Sequence, residues 1–191
     1  MRTSVFALAA SALLATAAHA APATYAIDPT HTFATFEIDH FGASTNRARF
    51  DKKSGSVEFD KAAHTGKVEV TLDMTSVNSG TPAFNKHLQS AEIFDAATYP
   101  TATFVSDRFV FEGDQLKQVI GQLTLKGQTH PIVIQAHKFT CYASPMLQKR
   151  EVCGGDFEAT IDRTRWGVDY GVNYGFTKNV RLVLQIEAVK Q

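Results

Sequence analysis

The chain has 191 residues and carries 19 Lys and Arg against 19 Asp and Glu, so its formal net charge is zero at pH 7. A near-neutral chain lacks the basic surface that holds a nucleic acid backbone, and it gives no reason to expect tight insertion into or adhesion to an anionic membrane. The length is typical of a single domain.

Residues 1–20 have the pattern of a secretory signal peptide. A positive start at Arg2 precedes an apolar run over residues 5–17, which ends at the small-residue cleavage sequence Ala18-His19-Ala20. The alternative of a membrane anchor is disfavoured because the apolar run is short for a transmembrane span. We therefore expect cleavage after residue 20 and a soluble, exported domain over residues 21–191.

The stretch DPTHTFATFEIDHFG, residues 28–42, concentrates histidines and acidic residues and raises the question of a metal or acid/base site. If residues 32–41 form one strand, His31 and His40 point to opposite faces, because side chains alternate along a strand. They also lie roughly 30 Å apart, whereas two ligands of one metal must each lie within about 2 Å of it. The spacing therefore predicts no shared metal site. The apolar face that remains comprises Ala34, Phe36 and Ile38, continued by Phe41.

Runs that alternate apolar and polar residues follow along most of the chain. They are GSVEFD, KVEVTLD, TATFVS, RFVFEG, VIGQLTL, PIVIQAHKF, GGDFEATID and RLVLQIEA. Because turn signals separate these period-two runs, the pattern predicts an antiparallel sheet. Eight or so such strands predict an all-β barrel, since closure removes the exposed edges of a large sheet.

One segment interrupts the alternation. Thr81-Pro82 is typical of a helix start, and Phe84 and Leu88 share one helical face. Ser90 is placed to begin a further helical turn. The pattern predicts a short helical insertion over about residues 81–94, lying over an end or a side of the barrel.

The two cysteines, Cys141 and Cys153, flank a polar stretch between two strand-like runs. An even number of cysteines in an exported protein indicates a disulfide. Such a bridge closes a hairpin loop and adds roughly 3 kcal/mol on the chain-entropy model. The alternative of a redox pair is disfavoured because the spacing is not C-x-x-C.

Sequence motifs for catalysis are missing: the chain has no G-x-S-x-G, P-loop, dinucleotide fingerprint or H-E-x-x-H. The remaining histidines occur singly, without the spacing of metal ligands. They are His64, His87, His130 and His137. We therefore expect no catalytic residues, no metal and no cofactor. The apolar inner faces either pack against one another or enclose a ligand, and the pattern alone leaves both open.

Five motifs carry a family resemblance, and they follow one another from residue 28 towards the C-terminus. They are DPTHTFATFEIDHFG, FDKKSGSVEFD, HLQSAEIFDAATYPTATFVS, GQLTLKGQTHPIVI and IDRTRWGVDYG. Together they resemble the YceI-like family of polyisoprenoid-binding proteins from bacterial periplasms. The cysteine-bounded segment and the tail after it resemble a disulfide-bearing branch that includes neisserial quinone-binding antigens.

The resemblance implies a lipocalin-like antiparallel barrel whose apolar tunnel binds, transports or stores an isoprenoid lipid in the periplasm. An isoprenoid quinone such as a ubiquinone is the favoured ligand, and cell-surface exposure and a monomeric or dimeric state stay open. The expected tunnel wall comprises Ala34, Phe36, Ile38, Phe41, Val57, Phe59, Phe84, Leu88, Phe94, Phe104, Leu123, Leu125 and Trp166. The expected head-group contacts are Arg163, Arg165 and Asn173.

Two other functions stay open beside the carrier. A structural or surface-interaction module with a self-filled barrel predicts that no cavity exists. A cofactor-free lipid-modifying enzyme would use an isolated histidine, such as His31, His40 or His87, and predicts a pH-dependent turnover. We expect a binding protein rather than an enzyme, because no partner residue accompanies any of these histidines.

Overall fold

The computed structural model describes residues 22–191, so the predicted signal peptide lies outside the described residues. These residues form eleven β-strands, one α-helix and four short 3₁₀ helices. The bounds are β1 Ala23–Ile27, β2 Phe33–His40, β3 Ser44–Phe50, β4 Lys53–Asp60, β5 Thr65–Asp73, β6 Val77–Asn78, α1 Pro82–Gln89, β7 Thr101–Glu112, β8 Gln115–Leu125, β9 Gln128–Ala143, β10 Glu151–Asp162 and β11 Asn179–Lys190.

Eight of the strands close into an antiparallel barrel, which confirms the predicted fold class. The order around the ring is β1, β4, β5, β7, β8, β9, β10 and β11, and β11 pairs back onto β1. The remaining strands lengthen this ring. β2 follows β1 along the same edge of β11, β3 pairs with β2, and β6 pairs with β3. The direction of the chain therefore alternates from one barrel strand to the next, and three of the long strands are interrupted.

The predicted helical insertion is present but shorter than expected, because α1 ends at Gln89. Ser90 terminates this helix: its backbone N–H and its hydroxyl both donate to the carbonyl oxygen of His87, at 3.1 and 2.7 Å. These bonds satisfy the helix end, and Ser90 itself adopts an extended conformation. Residues 91–94 then form hydrogen-bonded turns, so the extension of the helix to residue 94 was wrong.

The two runs TATFVS and RFVFEG belong to one strand, β7, rather than to two. A β-bulge between Ser106 and Arg108 inserts Asp107 as an extra residue. Such a bulge exchanges the two faces of a strand, so the inward side chains change from even to odd numbers. This is why Phe104 and Phe109 both face the barrel interior although their separation is odd.

The predicted disulfide between Cys141 and Cys153 is confirmed. The two cysteines stand directly opposite each other on β9 and β10, near the turn that joins these strands. The bridge therefore links neighbouring strands of the barrel wall at the end of the hairpin.

Candidate functional site

The barrel encloses a cavity with a volume of about 520 Å³. Its wall is formed by the inward-facing side chains of the strands, together with one face of α1. Ten of the chain's 14 phenylalanines contribute to this wall. They are Phe36, Phe50, Phe59, Phe84, Phe94, Phe104, Phe109, Phe139, Phe157 and Phe176. Among the described residues the wall contains no aspartate, glutamate or lysine, so it is suited to an apolar ligand.

The cavity is long and narrow. On β11 every second residue from Val180 to Ala188 lines it, a path of about 27 Å at about 3.4 Å per residue. A volume of about 520 Å³ spread along that path describes a narrow channel. A narrow channel with an apolar wall suits an extended hydrocarbon chain.

The two ends of the cavity differ. At one end the lining residues Tyr25, Phe59 and Ala188 are buried, and the Tyr25 hydroxyl donates to Glu151 Oε1 at 2.6 Å. At the other end the lining residues His40 and Tyr170 are exposed, so the cavity reaches the surface there. We refer to these as the closed end and the open end.

Aromatic contacts border the open end. The ring of His40 packs edge-on against Phe176, with centroids 5.1 Å apart, and the ring of His87 packs in the same manner against Tyr170, at 4.9 Å. These contacts connect β2, α1 and the segment that joins β10 to β11. The open end is therefore built from three separate parts of the chain.

The sequence model of the YceI-like domain matches residues 25–188. This chain belongs to the YceI-like family. The relatives include the protein YceI of Escherichia coli O157:H7, which is 32% identical over 194 residues and is matched over 100% of both chains. A UPF0312 protein of Shewanella denitrificans is 34% identical over 190 residues, which cover 96% of this chain and 95% of the relative. The predicted family is thus confirmed.

Solved structures share the YceI-like fold. BcnA of Burkholderia cenocepacia superposes with a TM-score of 0.67 at 24% identity, covering 84% of this chain and 98% of BcnA. A domain of Saccharophagus degradans, described as polyisoprenoid binding and implicated in plant cell wall breakdown, has a TM-score of 0.60 at 17% identity. That match covers 89% of this chain and 99% of the domain. At these identities the likeness concerns the fold.

Eleven of the thirteen residues expected in the tunnel wall line the cavity of this YceI-like barrel. They are Ala34, Phe36, Ile38, Val57, Phe59, Phe84, Leu88, Phe94, Phe104, Leu123 and Leu125. These eleven residues could be predicted because the period-two alternation of the strands and the helical face of α1 are both visible in the sequence.

The other two expected residues lie away from the cavity. Phe41 follows the end of β2 in a left-handed turn, with φ of 56°, and its side chain is 56% exposed. The turn ends the strand alternation, and Phe41 packs against Phe176 on the outside, with ring centroids 4.7 Å apart. Trp166 is fully buried, and its indole N–H donates to the carbonyl oxygen of Leu123 at 3.0 Å. Its ring packs behind the wall.

The three expected head-group residues are not brought together. Arg163 lines the cavity and is buried. Arg165 is exposed and stacks over Trp166, with its guanidinium carbon 5.5 Å from the ring centroid. Asn173 is exposed in the short 3₁₀ helix at residues 172–174. The 3₁₀ helix that begins at Arg163 turns neighbouring residues in different directions, which separates the two arginines.

Sequence reasoning missed several lining residues. Ile132, Ile134 and Phe157 lie on alternating strands, so their period-two pattern was available to find them. Tyr170 and Phe176 lie between β10 and β11, where no period exists. For such residues only the packing of distant segments decides which side chains meet the cavity.

The acidic residues of the stretch 28–42, together with His31, face outwards or form turns, whereas His40 lines the cavity. Glu37 accepts hydrogen bonds from Arg47 at 2.8 Å and from Arg181 at 2.7 Å, and these two arginines lower the pKa of Glu37. His31 contacts Asp28 through Nδ1 at 2.7 Å, in the turn between β1 and β2. Among the described residues, no group of three or more His, Cys, Asp or Glu side chains is placed to hold a metal.

The Asp28–His31 pair has perturbed pKa values. Burial raises the pKa of Asp28, but hydrogen bonds with His31 and with Thr30 outweigh it and lower the pKa to about 2. The same contact raises the pKa of His31. Stability from Asp28 is therefore present above the ordinary aspartate pKa of about 3.9 and is lost as the pH falls towards 2. Stability from His31 is present below about pH 6.5 and is lost as the pH rises through its higher folded pKa.

We expect His31→Gln to raise the pKa of Asp28 from about 2 part of the way towards the ordinary value of about 3.9. The rise is partial because the hydrogen bonds from Thr30 are retained. Titration of the Asp28 carboxyl carbon by NMR measures this change directly. His137→Gln is the matched control, since His137 contacts Glu158 elsewhere on the barrel. An unchanged Asp28 titration in His31→Gln would contradict the assignment.

No helix within residues 22–191 has the length and apolar character needed to cross a bilayer.

Proposed function

We propose that this protein binds a polyisoprenoid lipid in the barrel cavity and carries or stores it in the periplasm, with an isoprenoid quinone as the favoured ligand. The observation that carries the proposal is the channel itself, which is narrow and apolar and follows about 27 Å of β11. A relative of the same fold is described as a polyisoprenoid-binding domain, which supports this choice of ligand class.

The size of the cavity sets how much of a tail it holds. At about 30 Å³ for each water-sized group, about 520 Å³ accommodates about 17 non-hydrogen atoms, or three to four isoprene units. Burial of that many carbon atoms yields roughly 10 kcal/mol before the costs of association and ordering are subtracted. A longer tail extends through the open end or widens the channel. The net affinity is therefore set mainly by the first few isoprene units.

Two features of the chain support the periplasmic part of the proposal. The pattern of residues 1–20 is that of a secretory signal, and the disulfide between Cys141 and Cys153 persists in an oxidising compartment such as the periplasm. A tail shielded inside the barrel crosses the aqueous periplasm without exposing its hydrocarbon surface to water.

The carrier is favoured over the two other functions by the cavity and its wall. A self-filled barrel predicts no cavity, whereas the inward side chains of this barrel leave a volume of about 520 Å³. The enzyme alternative relies on a histidine, which acts best as an acid or base when a partner group sets its pKa. Of the two histidines of the wall, His40 packs edge-on against Phe176, and His87 packs edge-on against Tyr170 with Nδ1 3.8 Å from Glu92 Oε2, beyond hydrogen-bond distance. We therefore propose binding without chemical conversion.

The test is native mass spectrometry of the protein isolated from a bacterial periplasm, followed by extraction and identification of any bound lipid. We expect a mass increment that corresponds to an isoprenoid lipid and disappears on extraction. The stripped protein should take the lipid up again when a long-chain quinone is added. A protein that is ligand-free on isolation and also fails to bind added quinone would refute the proposal.

A further inference from the structure

Arg163 is the one lining residue with a permanent charge among the described residues, and only 6% of it is exposed. Two of its guanidinium nitrogens have partners. Nε donates to the carbonyl oxygen of Thr177 at 3.0 Å, and Nη1 donates to that of Val168 at 2.7 Å. Nη2 is buried and has no acceptor within residues 22–191. Two guanidinium nitrogens are thus held by backbone carbonyl oxygens, and the third, Nη2, is unpaired.

An unpaired guanidinium nitrogen at this depth is costly. A buried donor without an acceptor loses its hydration and gains no hydrogen bond in return, and the penalty is larger for a charged group. Asp162 and Asp169 act on Arg163 by charge, but neither forms an ion pair with it in the described part of the chain. Nη2 has almost no accessible surface, so the guanidinium turns slightly towards the cavity before an acceptor supplied from there removes this penalty.

Arg163 lies at the open end of the cavity. It directly follows β10, and its backbone N–H donates to the carbonyl oxygen of Lys178 at 3.0 Å, so Arg163 lies opposite Lys178, two residues before the first lining residue of β11, Val180. The guanidinium is held by the segment 167–178, which also carries Tyr170 and Phe176 of the open end. A ligand with its tail towards the closed end therefore brings its head group to this position.

We infer that Nη2 of Arg163 donates a hydrogen bond to an oxygen atom in the head group of the bound lipid. The inference rests on the proposed function and defines the ligand class more narrowly. The ligand combines an isoprenoid tail with an oxygen acceptor, either the carbonyl of a quinone or the anionic oxygen of a polyprenyl phosphate. A guanidinium has donors and no acceptor, so head groups that only donate hydrogen bonds are disfavoured.

The experiment compares three ligands by equilibrium dialysis: squalene, a ubiquinone with a geranylgeranyl tail, and geranylgeranyl phosphate. Squalene has isoprenoid carbon and no oxygen. We expect Arg163→Met to weaken binding of the quinone, the phosphate or both by about ten- to a hundredfold, with squalene unchanged within about twofold. The ligand that loses affinity identifies the acceptor as neutral or anionic.

Arg165→Met is the matched control, because Arg165 lies in the same 3₁₀ helix but is exposed. It should leave all three affinities unchanged. An equal loss for squalene and the oxygen-bearing ligands in Arg163→Met, or no loss for any of them, would overturn the inference. If none of the three ligands binds the wild-type protein, the proposed function fails as well. If squalene and the quinone bind with equal affinities that do not depend on Arg163, the inference alone fails.

A second measurement uses the wild-type protein, so it does not depend on the folding of a variant. The protein is labelled with ¹⁵N in its arginines, and the side-chain resonances of Arg163 are assigned by their loss in Arg163→Lys. These resonances should shift when an oxygen-bearing ligand is added. Squalene should leave the Nη2 resonance in place. Equal shifts with squalene and with both oxygen-bearing ligands would contradict a hydrogen bond to the head group.

Discussion

Ile132→Trp is expected to abolish binding of a long-chain isoprenoid quinone, with a loss of affinity of at least about a hundredfold. Ile132 is buried on β9 and its side chain lines the cavity. The channel is narrow, so an indole that projects into it occupies space that the hydrocarbon chain of the ligand needs. Equilibrium dialysis with the quinone measures the loss without interference from the added tryptophan fluorescence.

Val133→Trp provides the matched control for this prediction. Val133 is the next residue on β9, points outwards and is 44% exposed, so the same substitution adds the same side chain outside the barrel. Binding by Val133→Trp should equal that of the wild type. We expect Ile132→Trp to remain folded, because the indole enters the cavity rather than a filled core. Wild-type affinity in Ile132→Trp, or an equal loss in Val133→Trp, would show that the ligand binds elsewhere.

Trp166→Ala is expected to lower the free energy of unfolding by about 3–5 kcal/mol. Trp166 has no exposed surface, and its indole N–H donates to the carbonyl oxygen of Leu123 at 3.0 Å. The ring also contacts His130 edge-on, with centroids 5.2 Å apart. Truncation leaves an internal void and removes this hydrogen bond. Chemical denaturation followed by far-UV circular dichroism gives the change in stability.

Two further variants serve as comparisons for the loss of stability in Trp166→Ala. Trp166→Phe keeps most of the ring and removes the hydrogen bond, so a smaller loss of about 1–2 kcal/mol is expected. Tyr174→Ala truncates an aromatic residue of the following segment that is 80% exposed, and it should change stability by less than about 0.5 kcal/mol. A loss below about 1 kcal/mol in Trp166→Ala would contradict a stabilising role for the buried ring and its hydrogen bond to Leu123.

The fold could be predicted to a large extent because its signals are local. Alternation along single strands predicted both the sheet and its apolar face, as at Leu123 and Leu125, which line the cavity. The interruption at Pro82 predicted α1, although not its end at Gln89, because the Ser90 hydroxyl caps the helix instead of continuing it. The bulge at Asp107 left no signal in the sequence, so one strand resembled two.

The site was less predictable. Phe41 resembles Ile38 in its apolar character, but a left-handed turn moves it outside the barrel. Trp166 has a large apolar ring like the wall residues, but the hydrogen bond from its indole N–H to Leu123 holds it behind the wall. The residues of the open end come from β2, α1 and the segment before β11, and no spacing rule connects them.

The sequence by itself determined the strand alternation, the pairing partner of each cysteine and the family, because each depends on residue types at short or ordered spacings. Only the tertiary structure decided that the apolar faces leave a channel and that Arg163 enters its open end with one nitrogen unpaired. The physical reason is that a cavity is the space left between side chains that are distant in the chain. Its volume depends on how the closed sheet and the loops pack, which no single strand specifies.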